Sequence, residues 1–366
     1  MILILTQLED DPPVCRLSQL LRERGAEPVV VGPATLERPS SLEIANAPGG
    51  GARGVLRLGE RAIDLAEVSA AWLWRVWQPH PLLERYRALA ANRHVWGFYE
   101  QQWLAFFKGF SLLLAQRGVF CVNPPPWNLA FEEKCCQLAL AAEVGLAIPP
   151  TLYTTRLAPA RRFHEEQGGE LVYKPFRAYL RMIDAAGGRP SRLERLMTNR
   201  VGVEDLVEGE GFVPTPGIFQ PYVEKDVELR VVVVGRRLFA CAIQSQESAR
   251  SREDWRRYDL ANTPYEPYEL PADVAAKILA LMGRLGLVFG SVDLILTPAG
   301  DYVFLEVNPN GQFDFVARLA GLPIYEELAE LLLTGTSTEW HVPRTTPLPD
   351  PFDEPIIAIA GGADVR

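Results

Sequence analysis

Two carboxylates and one amide set the chemistry open to this chain. Asp293 lies in the run SVDLIL, and Glu306 and Asn308 lie in FLEVN, apolar surroundings in which a charge is costly unless paired or metal-bound. The turn TPAGDY between the two runs predicts a hairpin. Glu306 and Asn308, two residues apart, then share a sheet face, and pairing across the hairpin brings Asp293 beside them. Hard oxygen ligands of this kind suit a magnesium ion that bridges phosphates. The ordinary alternative is a solvated acidic face, which the apolar neighbours disfavour. Other chemistries lack their residues. The histidines His80, His94, His164 and His341 include no pair at zinc-site spacing. The five cysteines (Cys15, Cys121, Cys135, Cys136 and Cys241) show no C-x-x-C, and neither a Ser/His/Asp nor a Cys/His set is visible. Any metal is therefore expected on oxygen, with the protein in a reducing cytoplasm.

The elements that must position these residues follow from periodicity. Ile2–Thr6, Pro12–Arg24 and Pro28–Val31 predict a β-α-β opening and a Rossmann-like first domain, without the G-x-G-x-x-G of a dinucleotide site. Pro39 to Gly54 reads as a loop leading to a short strand pair, and VSAAWLWRVW as a strand in which Arg75 stands among tryptophans. Helical spacing of aromatics runs from Arg85 to Gln116, and Pro124 to Pro126 mark a boundary. Beyond it, a helix before Gly145, a strand ending at Lys174, a helix from Pro271 to Leu285 and strands with short turns predict an α+β unit with an antiparallel sheet. The expected divisions are 1–123, 124–210, 211–340 and an extended tail, 341–366. At 366 residues, with 48% hydrophobic content, the chain can bury a large core. Its net charge of −9 argues against nucleic acid as a partner, and no run is long enough to span a membrane.

The ordered set Lys134, Lys174, FQPYVEKDVELR, Asp293 and FLEVNPNG resembles the ATP-grasp superfamily, whose nucleotide lies between two α+β lobes. The resemblance implies an ATP-grasp fold preceded by a Rossmann-like pre-ATP-grasp domain, with ATP and two Mg²⁺ as cofactors. It places Lys134 and Lys174 on the phosphates, and Gln220, Tyr222 and Val223 at an adenine hinge. Either Glu224 or Glu228 would face the ribose, and Asp293, Glu306 and Asn308 would hold the metal. Arg230 matches an arginine that meets the transferred phosphate; as a structural alternative it pairs with Asp293 or Glu306.

Within that superfamily the chain resembles the microviridin-type graspetide maturases in WLWRVW, CVNPPPWNLAFEEKCCQLALAAEVGLAIPPTLYTT, MTNRVGVEDL, PGIFQPYVEKDVELRVVVVG, CAIQSQ and FLEVNPNGQF. The family phosphorylates an Asp or Glu side chain of a ribosomal precursor peptide, leader plus core, and lets a hydroxyl or amine of the same peptide attack. An ω-ester or ω-amide ring results. Asp254-Trp255-Arg256 resembles the family's Asp-Phe-Arg element, which implies that Arg256 clamps the acceptor carboxylate and Asp254 orients or deprotonates the incoming group. A salt-bridged surface loop is the other reading of that charged run. A homodimer is the family's expected state. An amino-acid ligase shares every nucleotide residue and differs in its product; an ATP-grasp kinase and a nucleotide-binding module without turnover are the remaining classes.

Overall fold

A computed structural model of the chain describes residues 1–36, 39–46, 48, 53–76, 93–125, 134–176, 180–183, 192–195, 198–209, 214–247 and 263–335. Strand β1 (Ile2–Thr6), helix α1 (Pro12–Glu23) and strand β2 (Pro28–Val31) make the expected β-α-β opening. β1 pairs in parallel with β2 and with β6 (Ala70–Trp74), and β7 (Phe120–Val122) extends the sheet beyond β6. β1 and β6 are buried along their whole length, as strands covered on both faces must be. Proline at the start of α1 forfeits no intrahelical donor, and Gly25 at φ +80° stops the helix. Helix α2 (Arg93–Gln116) lays Phe107, Phe110 and Leu114 on the core that holds Leu3, Leu5 and Leu73.

The stretch from Pro39 to Gly54 is not all loop, because β3 (Ser41–Ala45) pairs antiparallel with β4 (Arg53–Leu58), which pairs with β5 (Arg61–Asp64). Leu42 and Ile44 alternate with polar residues and pack on the first core, the two-residue period of a half-buried strand. The beginning of the aromatic stretch at Arg85, the Gly187–Gly188 turn and the tail from Val342 lie outside the described residues.

The next sheet is antiparallel, in the order β12 (Asn199–Val201), β9 (Leu171–Lys174), β13 (Gly217–Pro221) and β8 (Leu152–Thr154). Helix α4 (Leu157–Glu166) covers it through Ala160, which shares a small core with Leu171, Leu206 and Phe219. Strands β10 (Leu180–Ile183) and β11 (Arg192–Arg195) form a separate pair. The largest sheet is antiparallel throughout, in the order β16 (Tyr265–Tyr268), β15 (Arg237–Ile243), β14 (Val227–Val234), β17 (Phe289–Leu296) and β18 (Tyr302–Asn308). Helices α3 (Lys134–Glu143) and α5 (Ala272–Arg284) cover one face, with Leu138, Ala141, Ile278 and Leu281 packed on Leu229, Val231, Val233 and Val292. Helices α6 (Asp314–Leu319) and α7 (Ile324–Thr334) follow β18.

Aromatic rings join the first sheet to the last: Trp74 meets Phe289 and Phe313 edge-on at 6.4 and 5.7 Å, and Phe313 meets Tyr325 at 5.0 Å. Beside them the buried Asn123, just after β7, uses its whole side-chain amide. Its Nδ2 donates to the carbonyls of Phe289 and Pro309, and its Oδ1 accepts from the N–H groups of Val288 and Phe289. No helix among the described residues is long and apolar enough to cross a membrane. Asn123→Ala strands four buried main-chain groups and is expected to cost about 2–3 kcal/mol of stability. Urea unfolding of the variant against wild type checks this.

Candidate active site

The antiparallel register of β14, β17 and β18 sets Arg230 opposite Asp293, and Asp293 opposite Glu306, in one row across three strands. A bulge makes this row workable. Asp293 pairs with Glu306 but its neighbour Leu294 pairs with Phe304, so Leu305 is the extra residue on β18. Phe304 and Val307 are three apart yet both buried in the core, while Leu305 and Glu306 line a cleft between the two antiparallel sheets. A regular strand would have sent one of the two apolar residues out of the core.

Arg230 and Asp293 are buried, at 4% and 7% exposure. Arg230 Nη1 donates to both carboxylate oxygens of Asp293, at 2.7 and 2.9 Å, and Nη2 donates to the Gln312 carbonyl at 3.0 Å. Lys134, at the start of α3, places Nζ 2.8 Å from Glu306 Oε2. Asn308 is exposed at the end of β18, where its side-chain oxygen accepts from the Asn310 N–H at 3.0 Å. The sequence sets both readings of Arg230 side by side, and the pairing with Asp293 is the one the geometry displays.

The opposite wall comes from β9 and β13. Lys174, Gln220, Tyr222 and Val223 all line the cleft. Gln220 is buried, and its side chain donates to Thr151 Oγ1 at 2.9 Å. The Tyr222 N–H is engaged by the Glu170 carbonyl at 2.9 Å, and its ring carries the Arg200 guanidinium at 3.7 Å. Of the two glutamates that the sequence leaves open, Glu228 is buried in the cleft wall and Glu224 is exposed. Asp254 and Arg256 lie outside the described residues.

The donor set fits magnesium. Two adjacent carboxylates and an amide oxygen are hard ligands, with room left for water and phosphate oxygens. Among the described residues no three His, Cys, Asp or Glu converge as a metal cluster. Lys134, Lys174, Lys225 and Arg230 stand against Glu228, Asp293 and Glu306, a balance suited to a polyphosphate arriving with its cations. Burial pushes the Cys241 thiol, opposite Arg230 on β15, up to about 12, and Cys121 likewise, so neither offers a thiolate near neutral pH.

The chain resembles known structures over most of its length. The macrocyclase MdnB from Microcystis aeruginosa MRC is 31% identical, with 91% of this chain and 98% of that one covered at a TM-score of 0.67. The chain belongs to the RiPP-associated ATP-grasp ligases, the graspetide maturases. Macrocyclase MdnC of the same organism, bound with precursor peptide MdnA, is 26% identical over 91% and 99% of the chains at a TM-score of 0.72. A ligase of this family from Chryseobacterium gregarium, in complex with ADP and a leader and core peptide, is 25% identical over 91% and 96% at 0.76. No family model and no curated protein sequence matches.

In this ligase, sequence reasoning missed several cleft residues. Lys225 Nζ donates to Glu228 Oε1 at 3.0 Å, and the two side chains are only 6% and 7% exposed. Their spacing of three residues after the hinge was the available signal. Thr198 lines the cleft and carried none. Gln312 was legible only as part of FLEVNPNGQF: beyond holding Arg230 through its carbonyl, its side-chain oxygen, in the amide orientation that satisfies its neighbours, accepts from Arg75 Nη1 at 3.0 Å. Arg75 itself has φ +54°, and its guanidinium lies over the Trp74 ring, 5.1 Å from the centroid. Gly311 allows this crowding, since a Cβ there would lie 2.6 Å from both Arg230 Nη2 and Ser291 Cβ. Gly311→Ala of this ligase is expected to push Arg230 from Asp293 and cost about 1–3 kcal/mol. Unfolding in urea at wild-type stability would show that the arginine has slack.

Proposed function

We propose that this ligase transfers the γ-phosphoryl group of ATP to an Asp or Glu side chain of a ribosomal precursor peptide and closes ω-ester or ω-amide rings within that peptide. The observation that carries the proposal is the row of Arg230, Asp293 and Glu306 with Lys134 and Lys174 around one cleft, in a chain alike over 91% of its length to the Microcystis macrocyclase. Adenine would lie at the hinge of Gln220, Tyr222 and Val223, and Glu228 rather than Glu224 would meet the ribose. Lys134 and Lys174 bind phosphate oxygens as point charges on long stems. Asp293, Glu306 and Asn308 would hold two magnesium ions, which supply charge neutralisation at the phosphates.

Arg230, fixed by Asp293 and the Gln312 carbonyl, presents a preorganised cation to the charge that builds on the moving phosphoryl group, an effect often worth about 10²- to 10³-fold in rate. The peptide carboxylate oxygen takes the phosphoryl group and ADP leaves. A Ser or Thr hydroxyl or a Lys amine of the same peptide then attacks the carbonyl carbon, loses its proton, and phosphate departs from the acyl phosphate. The enzyme provides no nucleophile, because holding both peptide groups at one site replaces a bimolecular encounter with a positioned one. Asp254 and Arg256 would serve the proton and the acceptor carboxylate, on their sequence resemblance alone. The same reading makes the protein a microviridin-type, cytoplasmic homodimer with a Rossmann-like domain at 1–123, ATP-grasp lobes at 124–210 and 211–340 and an extended tail at 341–366.

Incubation of the ligase with a candidate precursor peptide, ATP and Mg²⁺, read by intact mass, tests the reading. The expected result is loss of one water per ring, absent with Glu306→Gln. Gain of an amino-acid or phosphate mass would sink the macrocyclase assignment.

A further inference from the structure

We infer that Gln137 is a positioning residue that locks the metal-holding strand by standing in for a missing neighbour strand. Among the described residues β18 is the outer strand of its sheet, and no described strand runs along its outward N–H and C=O groups. Near its middle the gap is filled by Ala147, whose carbonyl accepts from the Phe304 N–H at 2.8 Å. Further along, Gln137 of α3 takes over. Its Oε1 accepts from the Val307 N–H at 2.9 Å and its Nε2 donates to the Val307 carbonyl at 2.7 Å, at 1% exposure. One side-chain amide thus makes the reciprocal pair of bonds that a residue on an adjoining strand would make.

Val307 lies between Glu306 and Asn308, so fixing its two main-chain groups fixes the direction in which both flanking side chains leave the strand. Lys134, one turn earlier on α3, holds the Glu306 carboxylate. The helix therefore grips β18 at two heights, and the phosphate-facing lysine and the metal-facing carboxylate keep one spacing. The inference rests on the proposed role of Asp293, Glu306 and Asn308 in holding magnesium.

The test uses the full chain with Gln137→Leu and Gln137→Glu, with ADP as probe, titrated calorimetrically with Mg²⁺ and with EDTA, and Val307 amide exchange as a local readout. Gln137→Leu is expected to speed Val307 exchange and weaken ADP binding in Mg²⁺ by about tenfold, with binding in EDTA changed less than about twofold. Gln137→Glu separates positioning from bulk stability. Its carboxylate has no donor for the Val307 carbonyl, whereas its protonated form restores both bonds, so its Mg²⁺-dependent binding should approach wild type as pH is lowered. Fast Val307 exchange with wild-type binding in Mg²⁺ would overturn the inference, as would a Gln137→Glu variant whose deficit does not change with pH. Wild-type protein in which Mg²⁺ leaves ADP binding unchanged would instead overturn the metal reading itself.

Discussion

Arg230, Asp293 and Glu306 owe their contact to backbone pairing rather than to proximity in sequence. Three antiparallel strands in fixed register put cation, anion and anion in a line, and Lys134 closes the line from the covering helix. A slip of one residue between β14 and β17 would turn every side chain of one strand to the other face. The apolar residues guard against that slip, since Val231, Val233, Val292 and Leu294 are buried in one core, and an exchange of places with Arg230 or Asp293 would bring charge into it without a partner. Hydrophobic packing thereby holds the register on which the charged row depends.

The buried Arg230–Asp293 pair is a poor source of stability. Removing two charges from water costs about what their attraction returns, while deleting one partner typically costs about 3–5 kcal/mol. The pair makes more sense as preorganisation. It keeps a guanidinium and a carboxylate aimed beside a cleft that Val172, Ile218 and Ile295 also line. The crowding at Gly311 and the Gln312 carbonyl serve the same end, leaving the arginine one position.

Much of this was legible in the sequence because it rests on local pattern. The β-α-β opening follows from periodicity and from the Pro and Gly at the ends of α1, and the hairpin of β17 and β18 from the turn between two apolar runs. That charges stood inside those runs was enough to single out Asp293 and Glu306. What escaped depends on contacts between distant segments. The choice of Glu228 over Glu224 for the cleft wall turns on where β14 begins, the bulge at Leu305 on how one strand fits its neighbour, and the Gln137 clamp on a helix docked 170 residues away in the chain. β3 escaped because a five-residue strand between prolines and glycines gives a weak period.

Helix α7 packs against β6 of the first sheet and β14 of the last, and Arg24 at the end of α1 donates to the Glu326 carbonyl, 302 residues later in the chain. During synthesis at about 5–20 residues per second, the opening β-α-β unit therefore waits roughly 15–60 s for the helix that covers it. The nascent N-terminal sheet must survive that interval with an apolar flank uncovered, which makes the docking of α7 the step that commits the opening unit.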